Sequence, residues 1–165
     1  MKRLLLLSSL LLGLLHAASG QESVQDVISW HPVVQKMKNG AFKATLSATI
    51  KKGWHIYTAT PGGDGSQVPT KVSFHSNPHI RLTGKLAVTG KVRTEEIKEL
   101  DYSINYYENK VSFSQNLEAG ANTVLEAAVE FQACNDVKCL VLTVEKFNLE
   151  IGRLSRQPGP ARIGY

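Results

Sequence analysis

The sequence predicts an all-β sandwich, and three features of its 165 residues carry that expectation. Apolar and polar residues alternate with period two in several segments, Gly- and Pro-containing turns separate those segments, and no stretch after residue 20 shows a sustained helical stripe. Phe42, Ala44, Leu46, Ala48 and Ile50 alternate with Lys43, Thr45, Ser47 and Thr49, the pattern of a half-buried strand. Lys51-Lys52-Gly53 turns the chain, and Trp54-His55-Ile56-Tyr57-Thr58 resumes extended structure. Pro61-Gly62-Gly63-Asp64-Gly65 reads as a loop because its glycines favour turn conformations.

Lys71–Phe74 and Ile80–Leu82 read as short strands on either side of Asn77-Pro78. Lys91–Glu99 is rich in charge and is assigned the single helical turn of the domain. Val111, Phe113 and Leu117 mark a further strand. A longer one carries Leu125, Ala127, Val129, Phe131 and Ala133 at period two and ends at Cys134. Thr143, Glu145, Phe147, Leu149 and Ile151 set up the last, with Glu145 its imperfect member.

The two ends of the chain read differently from its middle. Met1-Lys2-Arg3, the apolar run Leu4–Leu15 and the small residues Ala17-Ala18-Ser19-Gly20 form the three regions of a secretory signal peptide, with cleavage before Gln21. The expected organisation is a signal peptide over 1–20, one domain over 21–152 and a disordered tail over 153–165, where Pro158-Gly159-Pro160 lies. The formal net charge of +5 falls to +3 when Lys2 and Arg3 leave. The remaining basic residues are scattered among acidic ones, with no stripe of interleaved aromatics, which argues against nucleic acid as a partner. No segment of the mature chain has membrane-spanning length.

Chemistry concentrates at Cys134 and Cys139, the only two cysteines, in Cys134-Asn135-Asp136-Val137-Lys138-Cys139. An exported chain works where disulfides form and persist. A bridge closing about six residues constrains the unfolded state by only about 2 kcal/mol, so stability alone is a weak reason for it. Thiol exchange needs an attacking thiolate and a second thiol to resolve the mixed disulfide, and this spacing supplies the second thiol. A loop-pinning structural disulfide is the competing reading, and the spacing leaves both open. Zinc is disfavoured, because His31, His55, His75 and His79 lack a compact pair downstream of the cysteines. There is no Gly-x-Ser-x-Gly elbow, Walker loop or dinucleotide fingerprint.

Gly53-Trp54-His55-Ile56-Tyr57, the Pro-Gly-Gly loop after it, Tyr106-Tyr107-Glu108-Asn109-Lys110-Val111-Ser112-Phe113 and Phe131–Cys139 occur in an order and spacing that resembles the N-terminal periplasmic domain of the thiol:disulfide interchange protein DsbD. The resemblance spans residues 28–151. It implies an immunoglobulin-like antiparallel β-sandwich and thiol:disulfide interchange (oxidoreductase) activity in the periplasm, with no metal or nucleotide cofactor. It implies that Cys139 joins the partner in a mixed disulfide and that Cys134 resolves it. The family's aromatic positions around the sulfurs fall on His55 and Tyr57. Its cap loop falls on Lys98–Tyr102, with Leu100 or Tyr102 as the covering side chain. Trp54 reads as ordinary core, and core packing also stays open for Tyr57.

Where relatives often carry prolines after the second cysteine, this chain has Leu140-Val141-Leu142. Neither the membrane-embedded reductase nor the C-terminal thioredoxin-like domain of a full-length interchange protein is encoded in these residues. The implied partners are therefore thioredoxin-like redox proteins and a separate membrane reductase. The alternative expectation is a non-catalytic secreted β-sandwich, a binding or assembly module whose disulfide only fixes a loop.

Overall fold

The computed structural model describes residues 22–120 and 122–152, so the expected signal peptide and the expected tail lie outside the described residues. Among those described there are nine strands, two short 3₁₀ turns and no α-helix. The strands are β1 (Ile28–Lys36), β2 (Phe42–Ile50), β3 (His55–Gly62), β4 (Lys71–His75), β5 (Ile80–Ile97), β6 (Tyr102–Ala119), β7 (Thr123–Phe131), β8 (Ala133–Cys134) and β9 (Thr143–Ile151). No helix among the described residues is long and apolar enough to cross a membrane.

All pairings are antiparallel and fall into two sheets, which form an immunoglobulin-like sandwich. The larger follows the order β1-β2-β6-β3-β8 with β5 also on β6, and the smaller follows β4-β7-β9. Period-two burial builds the core as the alternation predicts. Ala44, Leu46, Ala48 and Ile50 of β2 are buried, as are Leu125, Ala127, Val129 and Phe131 of β7. Trp30 of β1 joins the layers, its ring centroid 6.2 Å from Phe113 of the large sheet and 5.5 Å and 6.2 Å from Phe131 and Phe147 of the small one. Tilted and edge-on contacts of this kind add to the stabilisation from the area the rings bury.

Strand β6 organises the large sheet. Along one edge it pairs with β5; along the other, Ile104–Tyr107 pairs with β3 and Lys110–Leu117 with β2. The handover falls at Asn109, whose φ of 61° is left-handed, and the β5 pairing shifts register at the same point, between Gly90 and Val92. Asn is among the few side chains that tolerate this conformation, and a bulge bends its strand. The bend lets one strand serve two neighbours, and it sets β3 and its partner β8 at the far edge of the sheet.

Four sequence expectations are corrected. Lys91–Glu99 is not a helical turn, since Lys91–Ile97 completes β5 and only Lys98–Leu100 is 3₁₀. Its charges are those of an edge strand matched across the ladder: Arg93 Nε donates to Glu108 at 3.1 Å, and Thr94 Oγ1 donates to Asn105 at 2.8 Å. Ile80–Leu82 is only the start of the 18-residue β5, and the strand around Val111 begins already at Tyr102. Pro61 and Gly62 belong to the end of β3 rather than to the loop, which turns at Gly63 and Asp64.

Candidate functional site

Strand β7 of the small sheet runs out at Phe131, and two residues later the chain enters the large sheet as β8. There Ala133 lies opposite Ile56 and Cys134 opposite His55. Ile56 and Ala133 face the core and are fully buried. Alternation then puts His55 and Cys134 together on the other face. Cys134 and Cys139 form an isolated antiparallel bridge and are joined as a disulfide.

The loop between them is held by its own backbone and by Asn135. Leu140 N donates to Ala133 O at 2.8 Å, and Asn135 N donates to Lys138 O at 2.9 Å. The Asn135 side-chain oxygen accepts from Val137 N at 2.9 Å and from Lys138 N at 2.8 Å, an Asx turn that satisfies two donors of the tip. Gln132 Nε2 anchors the base of the hairpin by donating to Leu140 O at 2.9 Å.

The two sulfurs live in different surroundings. Cys134 is 1% exposed, whereas Cys139 is exposed on the outer limb of the loop. Around Cys139 the chain presents apolar side chains to solvent: Val137 is 91% exposed, Val141 is 80% exposed, and Leu142 is exposed too. Lys138 turns back, its Nζ 5.8 Å above the ring of Trp54 and 3.7 Å from a Glu22 carboxylate oxygen.

On the other side of Cys134 stands an aromatic cluster. His55 lies 4.6 Å from the ring of Tyr106 and 5.2 Å from that of Tyr57, which is the cross-strand neighbour of Tyr106. Burial holds the half-buried His55 imidazole below its ordinary value, against the opposing pull of the Asp136, Glu108 and Glu95 carboxylates. Burial likewise raises the Tyr57 and Tyr106 phenols, with Glu95 adding to both shifts.

Among the residues singled out from the sequence, Cys134, Cys139, His55 and Tyr57 are gathered at this edge. Trp54 is buried in the core, and its face carries the Lys138 ammonium. Leu100 and Tyr102 sit at the tip of the β5–β6 hairpin, where Leu100 is 61% exposed and Asp101 makes the turn with a φ of 54°. Tyr102 opposes Ile97, while Tyr106, with Tyr57, packs on His55. Sequence reasoning missed Tyr106 as a site residue, although its doublet with Tyr107 held a signal: neighbours on a strand face opposite ways, and Tyr107 is the buried one. It also missed Glu22, Glu95 and Glu108. Among the described residues, no group of three or more His, Cys, Asp or Glu side chains is disposed to hold a metal ion.

A β-sandwich whose edge carries a short-loop disulfide between one buried and one exposed cysteine is, as a class, a disulfide-bearing sandwich domain. The chain belongs to the family described as the N-terminal domain of the thiol:disulfide interchange protein DsbD, whose model matches residues 25–151. Among solved structures, the chain is similar to the N-terminal periplasmic domain of ScsB from Proteus mirabilis, with 18% identity and a TM-score of 0.55 over 79% of this chain. It spans 49% of that chain, and at this identity the likeness is one of fold. The N-terminal domain of DsbD from Neisseria meningitidis, in the reduced form, aligns at 11% identity with a TM-score of 0.47, over 75% of this chain and 86% of that one. A search of curated proteins finds no match.

Proposed function

We infer that the chain is a periplasmic dithiol carrier that passes electrons to disulfides of partner proteins through Cys134 and Cys139. The observation that carries this reading is the asymmetry of the pair: Cys139 is exposed and Cys134 is 1% exposed. An incoming disulfide meets one sulfur and the other waits behind it, the division of labour that exchange through a mixed disulfide requires. Reduced Cys139 attacks the partner disulfide as a thiolate. Cys134 then attacks Cys139, releases the partner in its dithiol form and leaves the carrier oxidised.

Thioredoxin-like proteins are the partner class that fits, because they expose their own reactive sulfurs in a shallow surface. The apolar side chains of Val137, Val141 and Leu142 offer such a surface a desolvated contact. A membrane reductase restores the dithiol. The signal-peptide pattern of 1–20 and the family both support export to the periplasm.

The test is the reduction potential of the pair, measured by equilibration with a thioredoxin-like protein of known potential. A value between about −180 and −270 mV supports a carrier. One well below about −300 mV, with no reduction by the thioredoxin-like donor, marks a structural disulfide and a binding or assembly module instead.

A further inference from the structure

We propose that His55 is the proton acceptor that activates Cys134 when the partner-linked intermediate is resolved. This rests on the reading of the cysteine pair as an exchange site and assigns that site a base. The second sulfur poses the chemical problem. A thiol buried in apolar surroundings is held in its neutral form and reacts slowly, yet resolution needs its thiolate. Cys134 is 1% exposed, so bulk water is poorly placed to take its proton.

Register answers the problem. His55 is the residue directly opposite Cys134 across the β3–β8 ladder, and such pairs bring their Cβ atoms to about 4.5–5.5 Å on one face. Tyr106 and Tyr57 pack on the imidazole at 4.6 Å and 5.2 Å and limit its orientations. The ring is half-buried, and desolvation favours its neutral form, the form that accepts a proton.

Charged and titratable groups face the imidazole from every side. Asp136 comes from the cysteine loop, Glu108 and Tyr106 from β6, Glu95 from β5 and Tyr57 from its own strand. Arg93 of β5 is engaged by Glu108 at 3.1 Å. The carboxylates favour the imidazolium once it forms, so the site both holds a neutral base and tolerates its protonated product. Lys138, the charged neighbour of Cys139 in sequence, has its ammonium committed to Trp54 and Glu22.

The step balances as follows. Attack by the Cys139 thiolate has joined its sulfur to one partner sulfur and released the other as a thiolate. The Cys134 thiol proton passes to a His55 ring nitrogen. The Cys134 thiolate attacks the Cys139 sulfur, the Cys134–Cys139 bond forms, the Cys139–partner bond breaks, and the second partner sulfur leaves as a thiolate. The imidazolium returns its proton to that thiolate or to solvent. Two electrons pass from the cysteine pair to the partner disulfide.

The experiment uses the reduced mature chain and the aromatic disulfide 5,5′-dithiobis(2-nitrobenzoate) as probe. Its two coloured thiolates report capture by Cys139, which depends on probe concentration, and resolution by Cys134, which does not. His55→Phe keeps a flat ring, and His55→Gln keeps a polar side chain that does not titrate. Both are expected to slow resolution at neutral pH at least about tenfold and to remove the histidine step from its pH profile. Both are expected to leave capture within about twofold of wild type. His55→Gln carries the result should His55→Phe fail to fold. Resolution at the wild-type rate and with the wild-type pH profile, alongside normal capture, overturns the role of His55 and leaves the exchange site standing. A wild-type chain that shows no capture overturns both.

Discussion

The Lys138 ammonium sits 5.8 Å above the ring of Trp54, so the cysteine loop is tied to the core by the residue next to its exposed sulfur. Glu22 adds a second tie at 3.7 Å and also accepts from Lys51 at 2.7 Å. A cation over an indole at a partly exposed site contributes about 0.5–1 kcal/mol. Lys138→Met is therefore expected to lower the Tm by about 2–4 °C and to change the Trp54 environment seen by fluorescence. Glu22→Gln is expected to have a smaller effect that fades with added salt, because exposed pairs are screened. A Tm that falls more for Glu22→Gln than for Lys138→Met would show that the Glu22–Lys51 pair outweighs both ties of the loop.

The disulfide should matter little to folding. Its cysteines are five positions apart, and a loop this small constrains the unfolded chain by only about 2 kcal/mol. Reduction of the wild type, or the double change Cys134→Ser and Cys139→Ser, should leave the far-ultraviolet circular dichroism of a folded β domain. The denaturation midpoint should move by an amount equivalent to about 2 kcal/mol or less. Loss of the fold on reduction would assign the bond a structural purpose.

Val141 and Leu142 are exposed within three residues of Cys139. If they form the contact with the partner, Val141→Asp and Leu142→Asp should each slow reduction of a thioredoxin-like partner about tenfold, the equivalent of 1.4 kcal/mol of docking. Reaction with dithiothreitol, which needs no docking surface, should stay within about twofold. Equal losses with both reagents would point to a disturbed loop.

His55 also predicts how stability depends on pH. Its value in the folded chain is lowered from 6.5, first by burial, so below about pH 6.5 the unfolded chain binds the proton more readily. Stability should therefore fall as the pH drops from 6.5 toward the folded value, and this contribution should be flat above that window. His55→Gln should flatten the same part of the curve, as read from urea midpoints between about pH 5 and 7.5. A slope equally steep in the variant would trace to other groups.

The parts of this fold legible in the sequence are those in which one face meets the core and the other meets water. In β2, buried Ala44, Leu46 and Ala48 alternate with more exposed Lys43, Thr45 and Ser47, and β7 repeats the pattern. β5 carries no such signal, because most of its residues from Lys85 to Glu96 are exposed on both faces of an edge, and charge there imitated a helix. β1 was hidden for a related reason: it is an edge strand, it contains Pro32, and it buries few residues. At the site, the cysteines were readable from local spacing, and His55 and Tyr57 only through the family resemblance. The stacking of Tyr106 on His55, and the approach of Glu108 and Glu95, come from long-range β3–β6 and β5–β6 register, which local spacing does not encode.

The most direct measurement replaces Cys134 with serine, so that any mixed disulfide formed at the exposed sulfur cannot be resolved, and maps the product with an oxidised thioredoxin-like partner by mass spectrometry. A stable conjugate linked through Cys139, absent when Cys139→Ser is used in its place, is the predicted result. Failure of Cys134→Ser to form any conjugate, from a folded chain whose Cys139 still reacts with a small disulfide, would contradict the carrier.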